Sequence, residues 1–212
     1  MVGVVRIHRF GGPEELVYED EAVAAPGTGE VRIRHKAVGL NYTDIYSRIG
    51  RPGMKTPLIL GAEGAGDVVA VGPGVAEFRV GDRVAYTGGL GAYAEERLYA
   101  ADRVVKLPDA MSYDTAAAIM LKGLTTWYLV RKTYPVGKGS VVLLHAAAGG
   151  VGTMLSQWAA HLGATVIGTD APRCAAHCDN IVSGRDRDRH RRFFREGRDR
   201  EAAWLRAHDS VS

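Results

Sequence analysis

The chain has 212 residues, 46% of them hydrophobic, a net charge of +3 and two cysteines, so it holds enough apolar material for a sizeable core and no disulfide framework. No apolar run approaches the ~20 residues of a membrane-spanning helix, and Met1-Val-Gly-Val-Val-Arg6 lacks the long apolar segment of a signal peptide, so a cytoplasmic protein without membrane partners is expected. Cys174, His177 and Cys178 together offer at most three zinc ligands.

From residue 2 to about 106 the sequence reads as short β-runs broken by glycine, at 4–7, 30–38, 65–71, 82–85, 93–98 and 104–106. Residues 42–49 mix polar and apolar side chains at helical spacing and predict one short helix or turn among the strands. The character changes at Ser112, a residue suited to cap the helix predicted over 113–121, and a second helix is predicted over 124–134. Pro135-Val-Gly-Lys-Gly139 then turns the chain into Ser140-Val-Val-Leu-Leu-His-Ala-Ala-Ala-Gly-Gly-Val-Gly152. The apolar half of that run suits a strand buried on both faces. The small residues after it let backbone approach a pyrophosphate at a helix N-terminus. Met154, Leu155, Trp158, Ala159 and Leu162 continue at helical spacing, Gly163 closes the helix, and residues 165–169 complete one βαβ unit.

Residues 1–170 hold 17 basic and 17 acidic side chains, whereas 171–212 hold 10 basic residues, all arginine, and 7 acidic ones. An arginine-rich tail of this kind suits nucleic acid, but the interleaved acids weaken its field, so a nucleic-acid partner is not expected. Its few large apolar residues predict little ordered structure.

Seven segments in order resemble the NADPH-dependent, zinc-free quinone oxidoreductases (ζ-crystallin-like) of the medium-chain dehydrogenase/reductase superfamily. They are Phe10-Gly-Gly-Pro-Glu14, Gly39-Leu-Asn-Tyr-Thr-Asp-Ile-Tyr46, Gly61-Ala-Glu-Gly-Ala-Gly66, Gly81-Asp-Arg-Val-Ala-Tyr86, Gly91-Ala-Tyr-Ala-Glu95, Met120-Leu-Lys-Gly-Leu-Thr-Thr126 and the glycine run. The resemblance implies an α/β and β fold: a GroES-like β domain over 1–120 and the first half of a Rossmann dinucleotide-binding domain over 121–170, with the nicotinamide in the cleft between them. Zinc-dependent relatives carry a cysteine near the position of Asn41 and a histidine beside the glutamate of the Gly61 motif. Here Asn41 and Ala62 stand instead, and the four closely spaced cysteines of the structural zinc lobe are absent, so no metal site is expected.

What remains is hydride transfer from NADPH to a quinone or an activated carbonyl or alkene. The resemblance implies that Asn41, Tyr42, Asp44 and Tyr46 line the nicotinamide ribose and the substrate, with Asn41, Asp44 and Tyr46 as the catalytic set and Tyr46 donating to a quinone oxygen. It further implies that Thr126 and Tyr128 face the nicotinamide end and that Gly149, Gly150, Val151 and Gly152 line the pyrophosphate. Lys122 reads equally as a phosphate partner or a solvated helix end, and His145 as a packed histidine. Asp170 lies about 20 residues beyond the glycines and on spacing alone argues for NADH. Relatives place small polar residues and a lysine there, with Arg173 as a stand-in, so NADPH is expected and NADH stays open. After Thr169 the sequence departs from the family, leaving only echoes in Cys178-Asp-Asn-Ile-Val182 and Asp209-Ser-Val211. A truncated or frame-disrupted family member is the reading at this level, with weak NADPH binding and without the strands that make the family homodimeric. An inactive fragment, or an RNA-binding protein using the tail, are the alternatives.

Overall fold

The computed structural model describes residues 1–170. The expectations for Cys174, His177, Cys178, Arg173, the arginine segment and the two family echoes lie outside the described residues. The chain divides into two compact units, Met1–Leu121 and a second beginning at Lys122.

The first unit contains β1 (Val2–Ile7), β2 (Val17–Glu21), β3 (Glu30–Val38), α1 (Tyr42–Ile49), β4 (Leu58–Ile59), β5 (Glu63–Val71), β6 (Arg83–Thr87), β7 (Glu96–Ala100) and β8 (Val104–Lys106). They form an antiparallel sheet in the order β2-β1-β4 and a five-stranded antiparallel sheet in the order β7-β3-β5-β6-β8. Residues 93–95 link the sheets: Val5 N–H donates to Tyr93 O (2.8 Å), and Glu95 O accepts from His35 N–H (2.8 Å). The strand predicted over 93–98 is therefore split, its first half serving as this bridge and only Glu96–Ala100 joining the ladder.

Two strands escape the sequence reading. Val17-Tyr-Glu-Asp-Glu21 is acidic rather than alternating; it holds an edge through ion pairs of Arg6 with Glu19 (2.6 Å) and Glu21. Leu58–Ile59 is too short to carry a period.

The five-stranded sheet buries Val31, Ile33, Val68, Val84, Tyr86 and Tyr99 in one cluster. A second cluster, Ala65, Ala85, Leu107, Ala116 and Ala117, packs the start of α2 (Tyr113–Tyr128) onto it. Alanines on both sides allow the close approach, and burying this apolar area supplies the driving force at ~25 cal/mol per Å². Ser112 caps α2 as expected, its Oγ accepting the Thr115 N–H (3.1 Å). The two helices predicted over 113–121 and 124–134 are one helix, which ends in a π-helical turn at Leu129–Thr133. Gly123 does not break it, since a helix interior tolerates glycine at a cost of only ~1 kcal/mol.

His35 sits inside the first unit between β3 and its neighbours. Its Nδ1–H donates to Ala94 O (2.6 Å), so neutral Nε2 accepts from the Tyr86 hydroxyl (2.7 Å). Burial holds the imidazole below its ordinary pKa and pushes the Tyr86 phenol up to about 12.

In the second unit β9 (Val141–His145) and β10 (Thr165–Thr169) pair in parallel, joined by α3 (Gly150–His161), which gives the expected βαβ unit. Gly163 ends the helix region at φ +86°. The expectation of a strand buried on both faces fails: Val141 is 69% exposed, and Leu143 and Ile167 are exposed beside it. Among the described residues α3 packs on this two-stranded sheet, with Leu155, Ala159 and Val166 buried.

Two stability outcomes follow. At the register shift where β3 meets β5, a Cβ on Gly66 would lie 2.0 Å from the Arg34 carbonyl oxygen. Gly66→Ala is expected to cost at least about 1–3 kcal/mol in urea unfolding. For His35, whose folded pKa lies below the ordinary 6.5, stability is full above 6.5 and declines as pH falls from there toward the folded value, because the unfolded chain takes up the proton first. His35→Gln is expected to flatten the pH dependence below 6.5; an unchanged slope would show that another group causes it.

Candidate functional site

In the first unit the candidate site is built around α1. Asn41 precedes the helix in extended conformation, and Asp44 reaches back so that its Oδ2 accepts the Asn41 N–H (2.9 Å). The negative Asp44 also suits the positive end of the helix dipole. Asn41 Nδ2 donates to Glu63 Oε1 (2.6 Å), and Glu63 Oε2 accepts the Leu121 N–H (2.7 Å). Tyr93 donates its hydroxyl to Asp44 Oδ2 (2.9 Å). Glu63 is 0% and Asp44 3% exposed. Burial, then the Asp44 acceptor, raise the Tyr93 pKa far above that of a free phenol. Asp44 Oδ1 is buried with no hydrogen-bond partner among the described residues.

Asn41 and Asp44, expected in the catalytic set, are both buried: Asn41 Nδ2 is bonded to Glu63 and Asp44 Oδ2 to the Asn41 N–H and Tyr93, while Asp44 Oδ1 is left to accept a further donor. Tyr42 and Tyr46 are 70% and 47% exposed, with ring centroids 5.2 Å apart in an edge-on arrangement. Glu63 and Tyr93 were missed as members of the site. The available signal was a single glutamate among small residues in Gly61-Ala-Glu-Gly-Ala-Gly66, which is affordable only if its carboxylate is fully bonded. Gly39 belongs to the same constraint, because a Cβ there would meet Glu63 Oε1 at 2.2 Å and Ala117 O at 2.4 Å. A separate groove of about 570 Å³ in this unit is lined by Val4, Tyr18, His35, Val38, Leu40 and Tyr93, and not by Tyr42, Asp44 or Tyr46.

In the second unit the glycine run turns β9 into α3. Ala146 adopts φ +52° and its carbonyl accepts the Gly149 N–H (2.9 Å). Gly149 caps the helix, and the N–H groups of Gly150, Val151 and Gly152 lie in the first turn, where no helical carbonyl precedes them. The glycines are not equivalent. Gly152 is buried, and a Cβ on it would collide with Ala146 O at 2.1 Å, so it is required by packing. Gly150 is exposed, and a Cβ there would meet only the flexible Lys122 side chain, at 2.8 Å from Cε. Lys122 thus lies over the helix start.

Three other expectations are altered. Thr126 is fully buried and donates its hydroxyl to Lys122 O (2.9 Å), a packing arrangement; Tyr128 is exposed. His145 is exposed at the strand end rather than packed, with Nδ1 against Thr169 Oγ1 (2.8 Å). Asp170 accepts the Ala148 N–H, so its carboxylate is turned into the glycine turn, which removes the spacing argument for a ribose-binding acid.

Among the described residues no helix is long and apolar enough to cross a membrane. The alcohol dehydrogenase GroES-like domain family matches residues 27–109. A quinone oxidoreductase of Pseudomonas aeruginosa is 53% identical over 167 residues, covering 78% of this chain and 51% of that protein. A 2-haloacrylate reductase of a Burkholderia species is 47% identical over 176 residues, covering 80% and 53%. The crystal structure of Escherichia coli quinone oxidoreductase complexed with NADPH superposes with a TM-score of 0.81 at 42% identity, covering 84% of this chain and 56% of that one. The chain therefore spans about half the length of the curated relatives it matches.

The buried network can be tested without any ligand. In Glu63→Leu the buried Asn41 amide and the Leu121 N–H both lose their acceptor, and a loss of at least about 1–3 kcal/mol is expected in urea unfolding. Tyr42→Phe, on the exposed face of the same helix, is expected to change stability by less than about 0.5 kcal/mol.

The first unit thus carries a GroES-like domain, and identity near one half over residues from both units makes this chain similar, over about half their length, to the quinone oxidoreductases.

Proposed function

We propose that the chain carries the acceptor-facing and pyrophosphate-facing parts of a zinc-independent NADPH:quinone reductase that also accepts activated carbonyls or alkenes. The observation that carries this is the division within residues 41–46. Asn41 and Asp44 are locked inward, which leaves Tyr46 with a free phenol on a helix whose position is fixed by Glu63. Relatives named for quinones and for 2-haloacrylate support an electron-poor acceptor.

The residues fit the cofactor. Asp44 Oδ1, a buried acceptor without a partner, suits a ribose hydroxyl, and the first-turn N–H groups of Gly150, Val151 and Gly152, with Lys122 beside them, suit a pyrophosphate. The chemistry supplied by NADPH when bound is a hydride from nicotinamide C4. Tyr46 Oη donates a hydrogen bond to the acceptor oxygen and delivers the proton that balances the hydride, after which solvent reprotonates it. Tyr42 and Tyr46 give the acceptor an aromatic wall, and orientation against a rigid helix carries most of the rate. Domain limits of 1–120 and 121–170 are part of this reading, as are the cofactor contacts of Tyr42 and Tyr128.

The test is reduction of 1,4-naphthoquinone by the 212-residue chain at millimolar NADPH. Tyr46→Phe is expected to lower kcat by about 10²-fold. Gly150→Trp, which covers the helix start, is expected to weaken NADPH binding at least tenfold with little change in unfolding midpoint. Activity indifferent to both changes would overturn the assignment.

A further inference from the structure

We infer that Arg51 makes the Tyr46 side of this site select acceptors that carry a negative charge, such as a carboxylate or sulfonate, beside the reducible group. The inference rests on the preceding reading that Tyr46 faces the acceptor. Gly50 ends α1 at φ +95°, which turns the chain back so that Arg51 returns along the helix instead of continuing away from it. Its guanidinium carbon stands 5.6 Å from the centroid of the Tyr46 ring, and Nη2 donates to Thr43 O (3.2 Å). The cation is thus held from two sides, by the face of the ring and by a carbonyl of the same helix.

It is held there without an acid. Arg6, Arg9, Arg32, Arg34 and Arg79 of this unit each pair with a carboxylate, whereas Arg51 enters no ion pair among the described residues. The nearest acid in sequence, Asp44, is buried and turned toward Asn41 and Tyr93. A guanidinium has five N–H donors in a planar fork, and only one of these is spent on Thr43. The others remain for an anion, and a carboxylate or sulfonate matches the fork in bidentate fashion. Because the charge lies against the Tyr46 ring, an acceptor bonded to that phenol would present its anionic substituent to Arg51. A neutral quinone gains nothing from it.

A phosphate of the cofactor offers the same chemistry, and the experiment separates the two sources. The 212-residue chain and Arg51→Gln are compared with 1,4-naphthoquinone-2-sulfonate and 1,4-naphthoquinone, by kcat/KM and, independently of turnover, by quenching of intrinsic fluorescence on acceptor binding. The unsubstituted chain is expected to prefer the sulfonate at least tenfold in both measurements, the preference shrinking as ionic strength rises. Arg51→Gln is expected to reduce the ratio to near one, and Arg51→Lys to retain part of it. A preference seen in binding without turnover upholds Arg51 while overturning the enzymatic reading. A preference unchanged by Arg51→Gln overturns the inference, as does a loss confined to NADPH affinity or the absence of any preference in the unsubstituted chain.

Discussion

Glu63 has no exposure at all, and its oxygens are held by the Asn41 amide and the Leu121 N–H. A buried carboxylate is tolerated only when its lone pairs are taken up, so the surrounding residues follow from it. A donor must stand at 41, the start of α2 must bring a backbone N–H to the carboxylate, and residue 39 must lack a side chain because Glu63 and the Ala117 carbonyl fill that space. One strand, one loop and one helix are thereby tied to a single group.

The same constraint orients α1. With Asn41 bonded inward and Asp44 buried against Tyr93, helical geometry puts Ser47 on the buried side, three residues further on, and Tyr42, Tyr46 and Ile49 on the exposed side. The two tyrosines meet edge to face there, and Arg51 returns to the ring of the second. The exposed aromatic face is thus the complement of the buried polar one. A residue such as Asn41 can be indispensable to the site while touching nothing that reacts.

How much of this was legible depended on whether the signal was local. The helix at Tyr42–Ile49 and the strand at Val104–Lys106 are set by short-range period, and their limits could be read from the residues alone. The βαβ order could be read because the apolar strand, glycine turn and helical spacing lie next to one another. The edge strand Val17–Glu21 could not, since it is acidic and held by pairing and by Arg6, contacts that no window of sequence contains. Nor could the burial of Asn41 and Asp44: both are ordinary turn residues by type, and what buries them lies at Glu63 and Tyr93, 22 and 49 residues away. The predicted two-sided burial of Val141–His145 failed for the opposite reason. Apolar composition says what a strand tolerates on each face, whereas its actual cover is set by the elements around it, and among the described residues only α3 provides any.

The glycine turn shows why such a motif is weak evidence when counted and stronger when each residue is placed. Gly152 is demanded by the carbonyls of Ala146 and Ala147, and a Cβ on Gly168 would lie 2.8 Å from the Ala147 Cβ, so both would be glycine in a turn that bound nothing. Ala148 gives its N–H to Asp170 and Gly149 gives its own to Ala146, which removes two donors from any ligand. What packing does not explain is Gly150: exposed, in the first helical turn, and overlaid only by the movable end of Lys122. A small residue in the first turn, where no helical carbonyl precedes the N–H groups, with a cation beside it, is what an anion requires of a helix start. The functional content of the run thus narrows from its whole glycine pattern to the neighbourhood of one glycine and one lysine.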